Sequence, residues 1–263
     1  MNTQDFEIES SRYEEYESLL LERDQLLKEA GQIHTAYLQA FGELMQQVFE
    51  AKMACISSKK TIAYLQREKN TGGVVDVNAM QEFLAGEMAA YDLILSRMIR
   101  ENRAAAEAET VSPYEVRRSK ELYRRIAKFL HPDIFPMTDR EDALREIWAR
   151  VCQAYNRHDV KQLAELEVVA RKALKDLGLE MLPAQVPDID GKIEALLDEI
   201  WQITHEEPYL YDAVLSDEEA SAKKTKELQE ELAGYRKYQE ELAQVVAQML
   251  AEGGLSLQWE NPS

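Results

Sequence analysis

Four histidines (His34, His131, His158, His205) and two cysteines (Cys55, Cys152) are the residues here whose types suit metal binding or nucleophilic attack. Their spacing supports neither. No H-E-x-x-H occurs, and no His pairs with a Cys at ligand spacing, so no zinc site is expected. The glycine signatures of nucleotide-binding and hydrolase turns are absent too. The two cysteines lie far apart, without a C-x-x-C, and read as reduced thiols. His34 falls beside a helical seam as a packing residue, and His205 precedes a proline break as a loop residue. The many carboxylates fall on helix faces. No catalytic constellation is found; the expectation is a protein that is no enzyme and takes no cofactor or metal.

One segment does stand out. Arg117, Arg118, Lys120, Arg124, Arg125 and Lys128 crowd into twelve residues with only Glu121 as counter-charge, in a chain whose 31 basic and 49 acidic residues leave it at −18. Arg117, Lys120, Arg124 and Lys128 recur at helical steps and share a face, with Arg125 at its border. Val116, Leu122, Ile126 and Phe129 form the opposite face. The segment ends at His131-Pro132-Asp133. Two readings follow: a basic face paired with the protein's own acidic helices, or a docking surface for an acidic groove on a partner. The helix-stop chemistry of Pro132 and the position of His131 at a helix C-terminus, where positive charge is favoured, account for the tripeptide without any function.

The surrounding sequence must position that helix, and it reads as helix nearly throughout. Ten Gly and seven Pro in 263 residues are about half the usual share, which excludes a fold of many short strands. From about Phe6 to Lys69, apolar residues recur at three- and four-residue steps, with gaps at Arg23 and Ser58. Such a helix would be about 90 Å long and suits an antiparallel coiled coil, with a kink or break expected near Gly31 or Gly42. Asn70 to Gly73 ends it; Asp76 or Asn78 caps a second helix, whose Met80, Leu84, Met88, Tyr91, Leu95 and Met98 stripe packs back on the first. Ser112-Pro113-Tyr114-Glu115 is a capping box opening the basic helix. Thr138 to Glu141 reads as a second box, Asp159 as a cap and Gly178 as a stop. Leu182 to Asp190 is a linker. A helix bearing Ile193, Leu196, Leu197, Ile200 and Ile203 and another opened by a box at Ser216 to Glu219 and closed by Gly253-Gly254 form a hairpin; the stretch from Asp188 onward holds 18 acidic and 6 basic residues. The expected organisation is all-α: residues 1–110 a long helical hairpin, 111–178 a small helical module, and 188–263 an acidic hairpin.

Leu122 to Asp133, LYRRIAKFLHPD, resembles the second helix and signature loop of the J-domain, the module of DnaJ-type co-chaperones. Tyr123, Arg124, Arg125, Ile126 and Ala127 match its aromatic, basic and small positions. Trp148, Val151, Ala154 and Tyr155 match the apolar positions of its third helix. The resemblance covers about Pro113 to Leu177. It implies that Lys120, Tyr123, Arg124, Arg125 and Lys128 dock on an ATP-driven chaperone of the DnaK type. His131, Pro132 and Asp133 would then trigger ATP hydrolysis by that partner. The first J-domain helix is missing, its packing expected from the helix spanning Met80 to Glu109. Ile134 and Phe135 replace the usual basic and polar residues after Asp133, and no glycine-phenylalanine linker or four-cysteine module follows. The whole chain is also similar to a bacterial class of long helical proteins with an internal J-like module between coiled coils.

The reading is therefore a co-chaperone or adaptor that stimulates a DnaK-type ATPase, its coiled coils binding an unknown client or setting an oligomer. The alternative is a scaffold whose module is degenerate. The acidic balance argues against nucleic acid and anionic membrane as partners. The acidic N-terminal stretch is unlike a signal peptide, and no run of 18 apolar residues occurs, so a cytoplasmic location is expected. If the acidic hairpins cover the basic helix, the protein is autoinhibited by a clamp of exposed charges that salt would weaken.

Overall fold

The three- and four-residue apolar spacing builds helices throughout the computed structural model, which describes residues 3–72, 74–108, 111–179, 187–252 and 256–258. The fold is all-α with one minimal strand pair. Helix α1 (Thr3–Tyr37) passes through a single π-helical turn, Leu38–Gly42, into α2 (Glu43–Thr71). The expected irregularity thus falls at Gly42, and Gly31 stays within regular helix. A Cβ at Gly42 would collide with the Asn102 amide. That amide donates from Nδ2 to the Gly42 carbonyl at 2.8 Å.

Gly72 closes α2 with φ +144°, which glycine alone accommodates readily. Gly73 lies outside the described residues. Strand β1 (Val74–Asp76) follows, and the Asp76 carboxylate then caps α3 (Val77–Ala106) by accepting from the Asn78 and Ala79 amides. Lys60 pairs with Glu87, and Asn102 reaches Gly42 and Gln46, so α3 returns antiparallel along α2 as expected. The strand was not expected: three residues are too few to show a period of two. It pairs in parallel with β2 (Ser256–Gln258), Val75 opposite Leu257.

The central module holds α4 (Pro113–Leu130), a loop with the single turn α5 (Met137–Arg140), α6 (Asp142–Asn156) and α7 (Val160–Asp176). Tyr123 stacks on Tyr155, and His131 just past the end of α4 meets Trp148, which sets α4 and α6 antiparallel. Arg125 pairs with Glu167 and Arg171 lies over Phe129, so α7 runs parallel to α4. Leu122, Ile126, Leu130, Leu144, Val151, Leu163 and Leu166 fill the core between them. Asp159 caps α7, and Gly178 follows it at φ +68°.

Two caps differ from expectation. Thr138 does not open α6; it sits inside α5, buried, and its hydroxyl donates to the Leu130 carbonyl at 2.9 Å, satisfying the end of α4. Asp217 rather than Ser216 caps the last long helix, accepting from the Glu219 and Ala220 amides, while Ser216 donates back to Asp212. In both places the hydroxyl turns back to a carbonyl of the preceding helix, the Asp212 carbonyl accepting the Ser216 amide as well.

The last elements are α8 (Ile189–His205), a 3₁₀ turn Tyr209–Tyr211, α9 (Asp212–Leu215) and α10 (Glu218–Glu252). Most of the expected linker, and Gly253-Gly254, lie outside the described residues. The helices α8 and α10, expected as a hairpin, belong to different units. The chain divides into two units that interleave in sequence: Met1–Gln32 with Glu109–Leu210, and Ile33–Ala108 with Tyr211–Ser263. In the first, Ile193 and Leu196 of α8 bury against Tyr16, Leu20 and Ile134. In the second, Leu228 and Leu232 of α10 bury against Tyr37, Phe41 and Val48, and α10 lies along α2. The grouping is thus into two interleaved units, where three consecutive pieces were expected. The α3 stripe packs back on α2 as expected, and α3, also expected to supply the packing of the missing J-domain helix, belongs to the second unit.

Candidate functional site

The site is the basic helix α4 and the loop after it, within the first unit. The capping box forms as read: the Glu115 amide donates to Ser112 Oγ at 3.2 Å and the Ser112 amide to Glu115 Oε2 at 3.1 Å. From that start the amphipathic spacing buries Leu122, Ile126, Ala127 and Leu130 and turns Arg117, Arg124, Arg125 and Lys128 outward. Lys120 is half-buried. Two of the outward cations have partners: Arg125 with Glu167 at 2.5 Å and Lys128 with Glu17 at 2.7 Å. Arg124 and Lys128 border an open cleft with Tyr13, Glu14 and Glu17.

Pro132 stops α4 after His131, whose amide still donates to the Ala127 carbonyl at 2.9 Å. The His131 carbonyl accepts from the Ile134 and Phe135 amides at 2.9 and 2.7 Å. The Asp133 amide donates to His131 Nδ1 at 3.1 Å. The loop is thus built on its own backbone, with Asp133 outward and His131 inward. The His131 ring stands edge-on to Trp148, centroids 4.9 Å apart.

What lies over it is α1. The pairs Glu17–Lys128 and Asp24–Tyr123, then Lys28 beside His158, set α1 antiparallel to α4, from the loop to the α6–α7 turn. Asp24 is the hub. Its carboxylate accepts from Tyr123 at 2.5 Å, from Arg23 at 2.8 Å, and lies 3.4 Å from His131 Nε2. Burial alone would raise this carboxyl, but the bonds from His131, Tyr123 and Arg23 outweigh it and hold the group below its usual range. Burial, then the Asp24 charge, pushes the Tyr123 phenol up. Arg23 also stands 3.8 Å from Asp133, and Tyr16 donates to the Asp133 carbonyl at 3.5 Å.

At the far end, Lys28 donates to the Tyr155 carbonyl at 2.5 Å and sits over the Tyr155 ring. His158 Nδ1 lies 3.2 Å from Lys28 Nζ and 2.9 Å from Ser119 Oγ, and its Nε2 is 2.8 Å from the Gln32 amide. Burial pulls Lys28 down to about 7. Burial, then Lys28, lowers His158. Ser119 is fully buried and donates to the Val116 carbonyl, so this cluster ties α1, α4 and the α6–α7 turn together.

Ile134 and Phe135, at odds with the J-domain pattern, have distinct fates. Phe135 joins the module core. Ile134, 1% exposed, packs between Tyr16 and Leu20 of α1 and Ile193 and Leu196 of α8. The residues singled out from sequence are therefore divided: Arg124, Arg125, Lys128 and Asp133 face out, Lys120 and Pro132 lie at the margin, and Tyr123 and His131 are covered. Glu17, Asp24, Lys28 and His158 were not foreseen. A signal existed in the gap at Arg23: a polar pair interrupting an apolar seam marks where the helix meets polar partners.

Among the described residues no group of His, Cys, Asp and Glu could hold a metal ion, and no helix is long and apolar enough to cross a membrane. No family model matches the chain, nor does any curated protein or solved structure.

Proposed function

We propose that the protein is a co-chaperone or adaptor that docks a DnaK-type ATPase through α4 and acts on it through His131-Pro132-Asp133. One observation carries the reading. A cationic helix face leads directly into a rigid loop bearing this tripeptide, held by an antiparallel return helix, while the rest of the chain is strongly acidic. Charges of that kind steer and orient a partner. The loop then makes a local contact that biases a two-state ATPase. The protein itself catalyses nothing, and its coiled helices serve a client or an assembly.

The test is binding of a purified DnaK-type chaperone in its ATP state to the full chain and to an Arg124→Ala, Arg125→Ala double variant. The reading expects salt-sensitive binding that weakens at least tenfold in the variant. Equal binding by both would contradict it. A second reading, a scaffold with an idle module, draws on the burial of His131 under α1. It expects no chaperone binding by either protein.

A further inference from the structure

The cations that would attract a partner are outside, but the histidine that would act on it is covered, and the cover is made of parts foreign to the module. Of the buried residues in the module core, all but Leu21 come from α4, the loop, α6 and α7. The module thus has a core of its own, to which α1 adds one leucine and a line of polar contacts. Those contacts fall on the loop and α4 at one end, Asp24 on His131 and Tyr123, Arg23 and Tyr16 on Asp133, Glu17 on Lys128, and at the other end Lys28 reaches Tyr155 and His158. Ile134 is the anchor. An isoleucine beside Asp133 would be exposed on an open loop; here it is buried by α1 and α8.

We propose that residues 12–32 of α1 form a latch that docks in cis over the His-Pro-Asp loop, anchored by Leu21 and Ile134, and must leave before the loop can reach a partner. This rests on the co-chaperone reading and adds its regulation. The active fraction is then the open fraction, and a partner that prefers the open form draws the latch off by its differential affinity. Where the sequence suggested a clamp of exposed charges from the acidic hairpins, the cover is an N-terminal helix that combines apolar anchors with charge. Salt alone therefore does not open it.

Cys152 on α6 reports the latch. Its thiol is half-buried and pushed up to about 11 by burial and then by the charge of Asp24. Departure of α1 both uncovers it and removes that charge, so alkylation accelerates. Cys55, buried in the second unit with its thiol against the Tyr235 carbonyl, is the internal control. Two variants open the latch from opposite sides: Leu21→Glu puts a charge at the α1 anchor, and Ile134→Lys removes the loop's need of a cover. Iodoacetamide should label Cys152 at least tenfold faster in either variant than in the wild type, with Cys55 unchanged and helical circular dichroism retained. ATP hydrolysis by a DnaK-type chaperone should rise with it. Unchanged labelling in both variants overturns the latch, as does wild-type stimulation equal to that of the variants. Faster labelling with no stimulation by any form leaves α1 a detachable cover and sinks the co-chaperone reading instead.

Discussion

At the scale of the residue, Asp24 carries the most. It is an acceptor for three donors from α1, α4 and the loop, in a largely buried place. Asp24→Ala should lower unfolding free energy by about 2 kcal/mol in urea titration, since it strands buried donors. With its folded-state pKa depressed, the stability Asp24 contributes is complete above its ordinary value of 3.8 and is lost as the pH falls through the lowered value. The wild-type advantage over Asp24→Ala should therefore persist at neutral pH and shrink only in strong acid. Lys28 gives the opposite window. Its folded pKa of about 7 lies under its ordinary 10.5, so between these the unfolded chain holds the extra proton and stability climbs with pH. Thermal unfolding of wild type relative to Lys28→Met should gain from pH 7 to pH 10; a flat difference would mean that Lys28 titrates normally. His158, facing Lys28 from the α6–α7 turn and Glu115 beyond it, acts in the same direction below its ordinary 6.5. The sequence showed the cations and the tripeptide. It did not show Asp24 or Lys28, because a charged residue looks alike on a solvated face and on a face pressed against another helix.

At the scale of the element, helix existence was plain and helix partnership was not. The box at Ser112 was legible because both its residues are local; Ser112→Ala should cost about 1 kcal/mol. Thr138 and Ser216 fit the same pattern, yet each found a nearer carbonyl, a competition that the sequence pattern does not resolve. Gly42 shows how an element records a contact distant in sequence. Alanine there gains about 1 kcal/mol of helix propensity but displaces the Asn102 amide from the Gly42 carbonyl and Gln46. Gly42→Ala should thus destabilise the wild type by about 1 kcal/mol and stabilise an Asn102→Ala background by a similar amount. A double-mutant cycle in chemical denaturation reads that sign change; additive effects would refute the coupling.

At the scale of the whole chain, composition gave the all-α class from few turn residues and sustained periodicity. The division into units was hidden, because stripes of similar apolar character pair according to which aromatic partners the fold brings near. Tyr16 and Leu20 take α8; Tyr37 and Phe41 take α10. A helix read as half of a hairpin thereby becomes, in its first 32 residues, part of the central module's unit. That assignment places α1 over the basic helix and the His131-Pro132-Asp133 loop. It also explains the departure at Ile134, an apolar loop residue that needs a cover.

The most direct test is single-turnover ATP hydrolysis by a DnaK-type chaperone, with the full chain carrying Leu21→Glu and with the same chain carrying Leu21→Glu and His131→Gln. The account predicts at least tenfold stimulation by the first and none by the second, both folded. Equal rates with the two proteins would contradict it, because the loop would then do nothing once uncovered.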